Sequence, residues 1–375
     1  MSIITPRERP AGPSRTMPSR NAHTRTVLVS AAAAVLVSAA ASGQTPGRLI
    51  LVGAPGVSGD IIAVSQMGVE VDSRGETTVV PIENIREVSF TAEPQSLKAA
   101  RVAIMRGQPA QALEDLGKIE PGEMEGADQL IVDELEFVKA AALGGQAAVT
   151  GENLPAGEKA VRDYLGKHSQ SHHFFLMQEL LARLLARSGK YAEAAAAYAP
   201  LDRGPPAYRV RAAAGRASVF YDQKNYDEAI REYSAAAQIA GDPQDSASVA
   251  QRRSAQLGAA RCLTRQGKGG DAIAAVERVV GECDADDAEV LGQAYNVLGD
   301  AQRTLGKDQE AIIAFLTVSL VHNAAAENRA EALFNLAQLW ERAKSPQRAE
   351  QAKQELTSAY PDSIWTRRLT AGKGS

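Results

Sequence analysis

The sequence predicts a mainly α protein, an α-solenoid of about seven helix–turn–helix hairpins preceded by a small β-barrel-like domain. Three observations lead there. Hydrophobic residues make up 45% of the 375 residues while aromatics make up only 5%, so the core must be built from Ala, Leu, Val and Ile, which suits close helix-on-helix packing. One short phrase recurs along most of the chain. Between residues 48 and 91 apolar and polar residues alternate instead. Charged residues at 23% are ordinary for a globular chain, which excludes wholesale disorder and a multi-span membrane protein together.

The first segment, 1–43, reads as a signal peptide. Arg7, Arg9, Arg15, Arg20 and Arg25 stand against a single acid, Glu8, and the uncharged run TVLVSAAAAVLVSAA follows from Thr26 to Ala40. A basic leader, an apolar stretch of about 15 residues and the small residues Ala41-Ser42-Gly43 are the parts of a secretory signal, with cleavage expected after Gly43. The run falls short of the roughly 20 residues that span a bilayer. Membrane contact would therefore come only through an uncleaved N-terminal helix, the alternative to release. The expected location is the periplasm or cell envelope. The formal charge is −4 and becomes more negative once the five arginines of the leader are removed. A nucleic-acid partner, which needs a clustered excess of Lys and Arg, is not expected.

Residues 44–92 form the β segment. The runs RLILV, SGDIIAVSQ, GVEVDS, ETTVVP and IREVSF are bounded by Gly56, Gly59, Gly68 and Gly75, a period-two pattern with glycine breaks that marks strands. VEVDSRGETTVV reads as a hairpin with Ser73-Arg74-Gly75 at its tip, Gly75 taking the positive φ such turns require. Five short strands suggest a barrel closed on itself, with Val57, Ile61, Val64, Val69, Val71, Val79, Ile82, Ile85 and Val88 inside. The pattern resembles SH3-like or Sm-like barrels. It would serve as a docking or oligomerisation module, or as a cap over the first helical repeat, since solenoid ends need covering.

From residue 93 to 366 the chain is helical and repetitive. MRGQPAQALEDL, ARSGKYAEAAAAY, YDQKNYDEAIREY, TRQGKGGDAIAAV and TLGKDQEAIIAF share a turn of Gly or Lys, an Ala five residues later, and a larger residue four further on. The anchor alanines are Ala112, Ala194, Ala229, Ala272 and Ala311, with weaker members at Ala160 and Ala349. These phrases resemble the tetratricopeptide repeat, a helix–turn–helix unit of about 34 residues. In the copy from Gly292 to Ala325, Tyr295, Leu298, Gly299, Gly306, Ala311 and Phe315 fall on the family's pattern. Further copies carry Leu181, Ala182, Leu185, Gly189, Tyr191, Ala194 and Tyr198, then Ala217, Phe220, Tyr226, Ala229 and Tyr233, and finally Leu333, Leu336, Ala337, Trp340, Ala349 and Pro361. Small pairs such as Gly299 with Ala311 let two helices approach, and larger residues fill the gaps between hairpins. One hairpin cannot bury its own apolar face, so neighbours stack into a superhelix with a concave surface.

Spacings longer than 34 mark insertions. Gly144–Gly157 reads as a mobile loop inside the second hairpin; 241–248, 283–289 and 322–328 read as longer inter-repeat turns; and 367–375 reads as a tail.

Little in the sequence points to chemistry. Neither Cys262 nor Cys283 has a histidine near it for a metal set, and their places in one repeat put them too far apart for a disulfide, so both are expected as free thiols. His168, His172 and His173 have a spacing that could place two imidazoles on one helix face. No Cys, Asp or Glu lies in that stretch, and a solvated junction between repeats is expected there. The acidic run Glu120–Glu136 reads as a solvated helix. No nucleophile elbow, phosphate loop or HExxH is present. A non-enzymatic protein without metal or cofactor follows.

The resemblance implies instead a groove lined by the first helix of each hairpin. Carried onto this sequence, the family's groove positions are Glu179, Arg183 and Arg187; Arg211, Ser218 and Tyr221; Leu257, Arg261 and Arg265; Asn296, Asp300 and Arg303; and Phe334, Gln338 and Arg342. Arginine predominates, and guanidinium groups favour carboxylates through charge-assisted, bidentate bonds. The Lys and Asn clamp of chaperone-binding members is not reproduced. The expected role is an exported scaffold that binds a protein or peptide, acidic or with a C-terminal carboxylate; a self-assembling envelope protein is the alternative.

Overall fold

The computed structural model describes residues 44–371, apart from Gly53, 240–245, Asp286 and Asp362. The signal peptide, most of the turn at 241–248 and the last four residues lie outside the described residues.

Five strands, β1 (Thr45–Leu51), β2 (Val57–Ser65), β3 (Gly68–Ser73), β4 (Glu76–Pro81) and β5 (Ile85–Phe90), form one antiparallel sheet in the order β4-β3-β2-β1-β5. The β3–β4 tip is shorter than expected. Ser73 pairs with Glu76, leaving only Arg74 and Gly75 in the turn, with φ of 60° and 85°, the two positive values a type I′ hairpin turn needs. That turn fixes the register, placing Val80 opposite Val69 on the core face. Val80 is therefore buried and Val79, expected inside, is 53% exposed. Ile61, Val69, Val71, Ile82 and Val88 are buried as expected, joined by Leu49 and Phe90, while Val57, Val64 and Ile85 are half-buried. Among the described residues no ladder joins β4 to β5, so the expected closure is not made by the strands. The apolar face is covered instead by helices: Leu49, Ile61, Val69 and Phe90 share one continuous core with Leu97, Ala100, Leu130 and Ile131.

Seven antiparallel hairpins follow: α1 (Gln95–Met105) with α2 (Pro109–Leu116), α3 (Gln129–Thr150) with α4 (Leu154–Lys167), α5 (Phe174–Arg187) with α6 (Tyr191–Ala197), α7 (Pro206–Asp222) with α8 (Tyr226–Gln238), α9 (Ser246–Arg265) with α10 (Gly269–Glu282), α11 (Ala288–Thr304) with α12 (Asp308–Leu320), and α13 (Ala326–Arg342) with α14 (Pro346–Ala359). Each first helix also packs on the first helix of the next hairpin, which makes this row the inner layer of the superhelix. A last helix, α15 (Ile364–Ala371), packs on α13 and α14; it takes up residues 367–371 of the expected tail. Among the described residues no helix is long and apolar enough to cross a membrane.

The recurring phrase has a physical origin in these hairpins. Ala112, Ala194, Ala229, Ala272 and Ala311 are fully buried and Ala349 nearly so. The Gly or Lys before each of them ends the preceding helix in the left-handed region: Gly107, Gly189, Lys224, Gly267, Gly306 and Lys344 have φ between 55° and 76°, the conformation that satisfies orphan carbonyls at a helix end. A Cβ is costly there. Lys224 and Lys344 are exposed and make no side-chain bond among the described residues. Lys224→Gly and Lys344→Gly are therefore expected to stabilise the fold by about 0.5–1 kcal/mol each, read as a shift of the urea midpoint at constant slope.

The second hairpin departs from the expectation. Gly144–Gly157 is not a loop: α3 runs unbroken to Thr150, and only 151–153 turn the chain. The glycines are there for contact. A Cβ on Gly144 would sit 2.6 Å from Val161 Cγ2, and one on Gly157 would sit 2.7 Å from Ala147 Cβ. Gly157, not the half-buried Ala160, is thus the small residue of this hairpin. The same economy explains the few aromatics. A Cβ on Gly215 would lie 2.2 Å from the Tyr198 ring, on Gly258 2.6 Å from Tyr233, and on Gly299 2.7 Å from Phe315, so each large ring is seated on a glycine of a facing helix.

The last helix reaches back to the second hairpin. Arg367 of α15 donates from Nη1 to the Val149 carbonyl, 2.6 Å away and 218 residues earlier. Val149 lies in the last turn of α3, where carbonyls lack helical partners.

Candidate functional site

The inner helices enclose a cavity of about 710 Å³, with walls from α1, α3, α5 and α7. Its floor is apolar: Met105, Val149 and Leu176 are 43%, 37% and 37% exposed there, beside Ile104, Ala148 and Leu180. Arg183 and Arg187, one helical turn apart on α5, line this cavity together with Arg86 of β5. All three are exposed, and none has a hydrogen bond or ion pair among the described residues. Ser218 and Asp222 of α7, with Tyr198 just after α6, complete the wall. Beside it, a second space of about 490 Å³ reaches from Val149 and Arg187 to Tyr360, Ile364 and Arg367, so α15 borders the mouth.

The other expected groove residues are committed to the protein itself. Arg211 pairs with Glu179 of the preceding hairpin and lies over the Tyr208 ring, 5.0 Å from its centre. Arg261 pairs with Glu331 at 3.1 Å, and buried Asn296 donates to the Asn328 carbonyl at 2.8 Å. Arg303 binds Asp300 at 2.7 Å and reaches Gln338 Oε1 at 3.4 Å. Arg265 donates from Nε to the Tyr221 hydroxyl at 2.7 Å, and Arg342 pairs with Asp308 at 2.9 Å. Leu257 is fully buried. Apart from Arg303–Asp300, which lies within α11, these bonds join different repeats, and Arg261–Glu331 reaches past one. The arginine stripe read from the sequence is thus mostly a set of inter-repeat ion pairs. Burial raises the Glu179 and Glu331 carboxyls above their ordinary values, even though Arg211 and Arg261 pull the other way.

A second constellation lies where the sheet meets the first hairpins. Arg101 of α1 is 3% exposed and is ringed by three carboxylates: Glu134 of α3 at 2.6 Å from its Nε, Glu93, and Glu87 of β5 at 3.5 Å. The solvated helix expected at Glu120–Glu136 is therefore wrong at Glu134, which is 2% exposed. Burial alone would raise this carboxyl, but His173 and Arg101 outweigh it and hold Glu134 well below the ordinary range. The other Glu134 oxygen lies 2.8 Å from His173 Nε2, and His173 stacks on Phe137 with ring centres 3.4 Å apart.

The histidine junction is also packed, not solvated. His172 is 9% exposed, and neither of its ring nitrogens has a partner. Burial, reinforced by His173, pushes it down to about 3, so the ring is neutral. His168 Nε2 lies 2.7 Å from Glu136. The carboxylates missing from the local sequence come from α3, 32 and 39 residues upstream for His168 and His173. A cavity of about 240 Å³ lined by Tyr164, Ser171, His172 and Asp133 adjoins the group.

Both cysteines are free and buried. Burial raises Cys262 to about 12 and Cys283 to about 11, which removes the thiolate that nucleophilic or redox chemistry requires.

No curated protein sequence matches the chain. Among solved structures, it is similar to a Rap protein complexed with competence and sporulation factor (15% identity over 74% of this chain and 78% of that one, TM-score 0.45). It is likewise similar to NprR in complex with its cognate peptide NprX (14%, 71% and 77%, TM-score 0.44). A tetratricopeptide repeat protein from Parabacteroides merdae shares 14% identity over 71% of this chain and 93% of its own (TM-score 0.46). A family profile for the tetratricopeptide repeat matches residues 179–247, which span most of the third and fourth hairpins.

Proposed function

We propose that the protein is an exported scaffold of the cell envelope that holds a protein or peptide partner in the N-terminal half of its concave groove. One observation carries this reading: Arg183 and Arg187 are unpaired and face an open, apolar-floored cavity, while the arginines of the later repeats are consumed in ion pairs. Apolar side chains of a partner would cover Met105, Val149 and Leu176, and an acidic side chain or free C-terminus would take the two guanidinium groups. Arg86 is a third cation at the same rim.

The test is charge reversal where the charge is free. Arg183→Glu with Arg187→Glu is expected to weaken binding of a fluorescent peptide that carries two leucines and a C-terminal Asp-Glu. Each charged contact contributes about 1.5–3 kcal/mol, so the loss should exceed about tenfold and take the salt dependence with it. Equal affinity in the reversed variant would sink the proposal. Reversal at Arg261 is uninformative, because it would oppose Glu331 within the fold.

The exposed Met67 and Val79 beside the β4 edge, which is unpaired among the described residues, favour a second reading, self-assembly through the sheet. Light scattering should then give a dimer or larger species that Val79→Lys returns to a monomer.

A further inference from the structure

We infer that Glu134, His172 and His173 bind a divalent metal ion of the zinc class at the seam between the sheet and the first hairpins. One ligand atom from each of the three residues lies within 4.8 Å of the other two. Two imidazoles and a carboxylate form a donor set suited to zinc.

Two independent observations point to a cation there. The first is charge. Glu87, Glu93 and Glu134 all have side chains at most 8% exposed, and among the described residues the three share one guanidinium, Arg101, with His173 beside Glu134 only, which leaves negative charge in excess in a space where unpaired charge is costly. A divalent ion supplies the balancing charge. The second is His172, whose two nitrogens are shielded from water and bonded to nothing. A neutral imidazole in that state has lost its hydration without replacement, and coordination would satisfy it.

Zinc–nitrogen bonds of about 2.0–2.1 Å bring ligands on one ion closer than the present spacing. His172, held by no hydrogen bond, must turn inward, and the ion takes the place of the proton between His173 and Glu134. Arg101 keeps the other Glu134 oxygen and so orients the ligand from behind. The adjoining cavity offers room for water to complete the coordination shell. Since these residues belong to α3 and to the entry of α5, and Arg101 ties them to β5, the ion would clamp the sheet to the repeat array.

The experiment uses the untagged full chain, stripped with EDTA and titrated with zinc by calorimetry. One equivalent is expected, with a rise in melting temperature on loading. His172→Ala should weaken it at least about tenfold, while His168→Ala, whose ring faces Glu136, should leave it unchanged. No saturable equivalent in the folded wild-type protein overturns the inference, as does unaltered binding by a folded His172→Ala. Should that variant not fold, X-ray absorption on the cobalt-loaded wild-type chain decides: two imidazole scatterers support the site and fewer overturn it.

Discussion

Arg101→Leu is expected to cost about 3–5 kcal/mol of unfolding free energy, as for any buried ion pair that loses one partner. The guanidinium is the one Lys or Arg group paired with Glu87, Glu93 and Glu134 among the described residues. Leucine fills part of the volume but leaves three carboxylates buried together. Chemical unfolding in the presence of chelator, followed by circular dichroism, measures the loss. Its pH dependence carries a sign. In the wild type Glu134 is held below its ordinary value of 4.5, so it contributes stability above that value, and the contribution disappears as pH falls through the lower folded value. Without Arg101, one of the groups that lower the Glu134 carboxyl is lost while the burial that raises it remains, so its folded-state value moves up toward the unfolded one. The variant should then lose less stability than wild type on acidification below about pH 5, and the gap to wild type should narrow. A gap that stays constant would show that the carboxylates are not buried as a group.

Phe315→Ala should cost a similar amount, about 3–5 kcal/mol. Phe315 is fully buried, and its ring fills the space that the missing Cβ of Gly299 leaves open. The pair is diagnostic when taken together. Gly299→Ala alone should cost about 1–3 kcal/mol by overpacking against the ring. In the Phe315→Ala background that penalty should vanish, because the alanine methyl then enters the vacated space. Urea denaturation of the four species gives the coupling directly. Additive effects would mean that ring and glycine do not meet.

The hairpins were legible because their signal is local. A glycine or lysine at positive φ, an alanine five residues on and a large residue four beyond that are properties of one turn and one helix face, and the anchors Ala112 to Ala311 are all buried as expected. The same rule failed where small residues serve contact instead of turning. Gly144 and Gly157 look like loop glycines in sequence, and only the approach of Val161 and Ala147 shows why they stand within helices. Val79 lies outside for a related reason: a turn shorter by one residue inverts which face looks inward.

Sites proved harder to read than folds because they are assembled across repeats. Arg261 and Glu331 lie 70 residues apart, so no local window shows that the arginine is already neutralised. In local sequence His172 and His173 have no neighbouring acid, and Glu134 is one acid in a charged run. Their meeting depends on α3 and α5 stacking side by side. What could have been noticed is that Glu134 shares a helical stripe with Ile131, Leu135 and Val138, all buried, a setting in which a charge needs a partner.

The bond from Arg367 to Val149 turns a string of repeats into a clasped bracelet. In an open array each repeat answers only to its neighbours, and the terminal ones fray first. Here the last helix and the second hairpin are neighbours as well, so loss of order at the C-terminus is felt at once by the walls of the groove near the N-terminus. Opening of the chain end would widen the space that Ile364 and Arg367 share with Val149 and Arg187 beside the cavity.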